Sequence, residues 1–135
     1  MSARAVRSAL VAAAVVLAVC LAGAAPRTPR LVQVWHVDDG IYTARLADAL
    51  ERAFRSSPDF VLSNGNRPGT LVVTIPTNLD WKRRFGRTTV FYAVEFTTAD
   101  GRSLGVAKGS CSSKAFPQCA ARIVANVRVA ADKAY

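Results

Sequence analysis

The chain has 135 residues, with 18 Lys and Arg against 9 Asp and Glu, for a formal net charge of +9. A length of this order supports one compact core and in practice excludes two domains. A basic surplus in an intracellular protein would direct attention to nucleic acid, so the destination of the chain decides how the charge is read.

The first 24 residues supply that destination. Arg4 and Arg7 form a positive start, Ala9 to Ala22 follows as an uncharged apolar run, and Ala22-Gly23-Ala24 offers small residues where a signal peptidase reads. Cleavage is expected after Ala24. The apolar run is shorter than the roughly 20 residues of a bilayer-spanning helix, and Pro26 and Pro29 come soon after it, so no permanent transmembrane anchor is expected. Leu17-Ala18-Val19-Cys20 outlines a competing lipoprotein site, with Val19 bulkier than the small residue such a site takes before its cysteine. Without Arg4 and Arg7, 16 basic residues stand against 9 acidic ones. An exported protein of that balance meets anionic lipid, lipopolysaccharide or an acidic envelope protein before it meets nucleic acid, which is not an expected partner. A periplasmic or secreted location is expected.

Residues 25–30 read as an extended lead-in to a single α+β domain over 31–135. Leu31 to Val37 is rich in β-branched and aromatic residues and is stopped by Asp38-Asp39-Gly40, so a strand is expected. Tyr42, Leu46, Ala49, Leu50, Ala53 and Phe54 then recur at helical spacing, with acid-first pairs Asp48–Arg52 and Glu51–Arg55 on the other face, up to Ser57-Pro58. Phe60 to Leu62 and Leu71 to Ile75 read as strands joined through turn formers at 64–69, and a hairpin between them is expected. Thr89 to Thr98 alternates Val90, Tyr92, Val94 and Phe96 against Phe91, Ala93, Glu95 and Thr97, and Asp100-Gly101 turns it into a strand from Ser103 to Lys108. A terminal helix begins near Pro117, with Ala120, Ile123, Val127, Ala130 and Ala134 on one stripe. The order β-α-β-β-β-β-α implies an antiparallel-rich sheet of four to five strands with both helices on one face.

The amphipathic run Tyr42 to Phe54 leading into Ser57-Pro58-Asp59-Phe60-Val61-Leu62 resembles small periplasmic α+β envelope modules. These are the lipopolysaccharide-assembly lipoproteins, the periplasmic domain of the curli secretion channel, and lipoprotein activators of cell-wall synthases. The resemblance implies a non-catalytic partner in an envelope assembly.

Chemistry-bearing residues are sparse. His36 is the one histidine, and although Asp38 could orient it on a strand, no nucleophile or second motif accompanies it; a hydrolase using His36 is the minor alternative. His36 with Asp38 and Asp39 lacks the spaced ligand set of a zinc site, so neither metal nor cofactor is expected. Alternation turns Glu95 away from the core. Gly109-Ser110-Cys111-Ser112-Ser113-Lys114 is neither a phosphate cradle nor a nucleophile motif, and reads as a loop pinned by a disulfide between Cys111 and Cys119, the default for such a pair in an oxidising compartment.

The remaining constellation is Asp80-Trp81-Lys82-Arg83-Arg84-Phe85-Gly86-Arg87, read as a connection between strands. In it Lys82, Arg83, Arg84 and Arg87 suit an anionic partner, while Trp81 and Phe85 either anchor that contact or fold back onto the sheet. The expected function is an exported, non-catalytic accessory or binding protein of the bacterial cell envelope. The alternative is a secreted or periplasmic enzyme inhibitor that presents the Trp81 segment or the Asn64 to Gly69 turn.

Overall fold

The computed structural model describes residues 28–63 and 67–134. The expected signal segment, the lead-in up to residue 27 and part of the 64–69 turn lie outside them. Six strands, β1 (Arg30–His36), β2 (Phe60–Leu62), β3 (Leu71–Ile75), β4 (Asp80–Arg84), β5 (Arg87–Thr98) and β6 (Ser103–Ser112), form one sheet with two helices, α1 (Ile41–Ser56) and α2 (Phe116–Ala134). This is the α+β class expected from the patterning, with β4 as an added strand.

The sheet is laid out as β2-β1-β3-β5-β6, and β4 continues β3 along the same side of β5. Three of its pairings are antiparallel and two, β1–β2 and β1–β3, are parallel. The expected β2–β3 hairpin is therefore not formed, because β1 lies between the two strands. The cause is α1: a helical crossover returns the chain to the end where β1 began, so the next strand must run parallel to it. The strands divide β1 by level. Leu62 and Leu71 both register with Val32, so β2 flanks its start and β3 the remainder.

One face of the sheet is covered by the two helices. Thr43, Leu46, Ala47, Leu50 and Phe54 of α1 and Phe116, Ala120, Ile123, Val124, Val127 and Ala131 of α2 pack there with Val32, Val73, Ile75, Val90, Val94 and Phe96. The alternation expected for β5 holds: Val90, Tyr92, Val94 and Phe96 are buried, whereas Phe91, Ala93 and Glu95 are exposed on the opposite, open face. Pro117 sits in the first turn of α2, where its missing N–H costs nothing. Glu51 pairs with Arg55 at 3.7 Å, but among the described residues Asp48 and Arg52 form no ion pair. The far half of α2 is tied to the sheet margin by Arg128–Asp59 at 2.8 Å and Arg30–Asp132 at 3.1 Å.

Strand β6 runs to Ser112, so Cys111 is a strand residue and not part of a loop. Its bond to Cys119 fastens the end of β6 to the start of α2. On β6, Gly109 faces Tyr92, and a Cβ at that position would collide with the tyrosine ring. The β5–β6 turn is held by the Thr98 hydroxyl, which donates to the Asp100 carboxylate and thereby draws the Asp100 pKa below the ordinary carboxylate value.

Candidate functional site

Asp80 to Arg87, expected as an irregular connection, is a β-hairpin arm. Asp80, Trp81, Lys82 and Arg83 register with Phe91, Val90, Thr89 and Thr88, and Arg84 registers with Arg87, leaving a two-residue turn. Both turn residues have positive φ, +50° at Phe85 and +72° at Gly86. That combination defines the type I′ turn, whose twist matches that of the flanking strands. All residues of β4 are exposed, because the helices meet this part of the sheet only through the edge contact of Tyr42 with Trp81. A strand solvated on both faces needs no apolar alternation, so its sequence can be almost wholly charged.

The hairpin separates the predicted site residues by face. Trp81 and Arg83 point to the helix side, while Lys82, Arg84 and Arg87 lie on the open side with Phe91. Lys82 Nζ stands 5.9 Å from the centroid of Phe91, a cation–π arrangement that steadies this cation over the sheet. Among the described residues, Lys82, Arg83, Arg84 and Arg87 make no ion pair with a carboxylate. The two aromatics behave differently. Trp81 meets the ring of Tyr42 edge-on at 6.1 Å, and Tyr42 in turn lies 6.3 Å from Phe116, so a row of three rings joins β4, α1 and α2. Phe85, at the tip, is fully exposed at 101% of its reference area.

The base of the arm is held by a polar clasp that sequence reasoning did not find. The Asn78 Oδ1 atom accepts from the Gly40 N–H at 2.9 Å and from the Thr43 hydroxyl at 3.2 Å, and Thr43 Oγ1 accepts from the buried Leu79 N–H at 3.2 Å. Gly40 leaves room for it, since a Cβ there would push the Asn78 amide out of the clasp. The clasp fixes the start of α1 against the chain that leads into β4. No motif announces it, because it joins isolated polar residues more than 30 positions apart.

Among the described residues, the other candidates are not brought together. His36 Nδ1 lies 2.9 Å from the carbonyl oxygen of Asp38, which places the ring proton on that nitrogen, and 3.7 Å from the Asp39 carboxylate. The Asp38 carboxylate is not its partner. Among the described residues no three His, Cys, Asp or Glu side chains are grouped to hold a metal ion, and no helix is long and apolar enough to cross a membrane. A groove of about 510 Å³ runs between the helices, lined by Arg45, Asp48, Ala49, Arg52 and Phe116, with neither histidine nor cysteine in its wall.

No family model and no curated protein matches the chain. Solved structures do share its fold. Protein XCC0632 from Xanthomonas campestris, of the family DUF330, superposes with a TM-score of 0.57 at 13% identity, over 82% of this chain and 90% of that one. A PelC dodecamer from Paraburkholderia phytofirmans gives 0.55 at 12% identity, over 71% and 84%. A minor lipoprotein from Acinetobacter baumannii gives 0.54 at 10% identity, over 80% and 96%. All three are bacterial proteins of the same α+β fold. The α+β architecture that the resemblance implied is met at the level of the fold, and a lipoprotein is among the structures that share it.

Proposed function

We propose that the chain is an exported, non-catalytic accessory protein of the bacterial cell envelope, released as one domain by cleavage after Ala24, that contacts an anionic surface or an acidic partner through the β4–β5 hairpin. The observation that carries this reading is the arm itself: four cations within six positions, none ion-paired among the described residues, displayed beyond the helical layer. Clustered charges of one sign raise the local concentration of a counter-charged partner and speed encounter, with a field screened over about 8 Å at physiological ionic strength. The envelope address is supported by the leader and by the fold shared with a lipoprotein.

The test replaces Lys82, Arg83, Arg84 and Arg87 together by Gln and measures retention on anionic envelope material as salt is raised. Wild-type retention should fall steeply with salt, and the variant should bind weakly with a flattened dependence. Unchanged affinity and unchanged slope in the folded variant would remove the physical support for this reading.

A further inference from the structure

We propose that the hairpin tip enters the head-group boundary of an anionic phospholipid bilayer end-on, with the Phe85 ring as the apolar anchor and the surrounding cations on lipid phosphates. The inference rests on the anionic-partner reading above and names the partner.

Phe85 is the residue that demands an explanation. The first central position of a type I′ turn requires positive φ, which favours Asn, Asp or Gly, and a bulky side chain there is an outlier. Phe85 nevertheless occupies it at φ +50°, with its ring wholly in water. The position thus carries two costs at once, one conformational and one of exposed apolar area, and nothing within the fold offsets either. Strain of this kind at an exposed tip is a reason to look for a contact outside the molecule.

The charge distribution favours a bilayer over a protein cleft. Arg83 leaves the hairpin on one face and Lys82, Arg84 and Arg87 on the other, so both faces of the arm carry cations near the tip. A protein partner meets one face of an arm, whereas a fluid layer of head groups meets both when the arm enters by its end. The depth order also fits. Arg84 and Arg87 stand one residue behind the turn, and Lys82 lies roughly 10 Å behind Phe85 at about 3.3 Å per residue. That spans the 5–10 Å over which interfacial segments settle. The hairpin carboxylate, Asp80, is set back roughly 17 Å, clear of the phosphates. Trp81, held by Tyr42, also remains behind the boundary, so the anchoring ring is Phe85.

The test uses sedimentation with vesicles of phosphatidylcholine mixed with phosphatidylglycerol, and with phosphatidylcholine alone. Wild type should bind the mixed vesicles only. Phe85→Asn suits the turn, so it should fold with an equal or higher melting temperature, yet bind the mixed vesicles at least about tenfold more weakly with an unchanged salt slope. In a Trp35→Phe, Trp81→Phe background, the emission of Phe85→Trp should be quenched by lipids brominated near the top of the acyl chain. Full affinity in Phe85→Asn, or a vesicle-bound Phe85→Trp variant without quenching, would overturn the insertion. If wild type ignores vesicles but is retained by solubilised acidic envelope protein in a manner lost in the quadruple Gln variant, the bilayer is the wrong partner and the anionic-partner reading stands. If neither is bound, both fail.

Discussion

Thr43→Val tests whether the clasp at the base of the hairpin matters, and its cost can be worked from the atoms involved. The substitution keeps the branched shape in a position that is 1% exposed, so no cavity opens. What it removes is the oxygen that accepts from the buried Leu79 N–H. An orphaned buried donor costs about 1–3 kcal/mol. The Asn78 oxygen keeps its bond from Gly40, so it is not orphaned as well. Exchanging hydroxyl for methyl in an apolar site returns at most about 0.8 kcal/mol. The net destabilisation should be about 1–2 kcal/mol, which for a domain of this size lowers Tm by roughly 4–9 °C. Thermal and urea unfolding give the magnitude, and hydrogen exchange gives the location: the Leu79 amide should lose protection while amides of the β5–β6 pairing keep theirs. A variant as stable as wild type, with Leu79 still protected, would refute the account of the clasp.

Two further outcomes concern stability elsewhere. Reducing the Cys111–Cys119 bond, or replacing both cysteines by Ala, should cost about 2–3 kcal/mol on the loop-entropy estimate for this short ring, read as a fall in urea midpoint; a loss under 0.5 kcal/mol would mean that β6 and α2 hold together without it. Gly109→Ala should destabilise by about 1–3 kcal/mol because its Cβ displaces the buried Tyr92 ring, and a neutral or stabilised variant in the same assay would show that the ring moves freely.

The parts of the fold that could be read from the residues are those where one side is buried. Val90, Tyr92, Val94 and Phe96 announce β5 because the period of two has a consequence only when one face meets a core. Leu46, Leu50 and Phe54 announce α1 in the same way at its own period. Strand β4 escaped because none of its residues is buried on either face, so no core imposes a period of two on Asp80 to Arg84. The parallel pairing of β1 with β2 and β3 escaped for another reason: which strands become neighbours is decided by where α1 delivers the chain, and not by the composition of Phe60 to Leu62. At the candidate site the residue types were legible, since charge and aromatic character are local. Their division into two faces, the packing of Trp81 on Tyr42 and the positive φ of Phe85 depend on the register of the hairpin.

The direction of β1 places the two ends of this protein's working length at opposite poles. The described chain enters at Thr28 beside the start of β1, level with the C-terminal end of β5, and the hairpin tip lies beyond the N-terminal end of β5. At about 3.3 Å per residue, the distance from Arg30 to the tip is roughly 45 Å. If Cys20 were lipidated, the stretch from Cys20 to Thr28 would reach at most about 28 Å when fully extended. Such a tether cannot bring the tip end-on into the membrane that holds it. A tethered form of this chain would therefore bridge two surfaces, while a cleaved form would be free to present its hairpin to either.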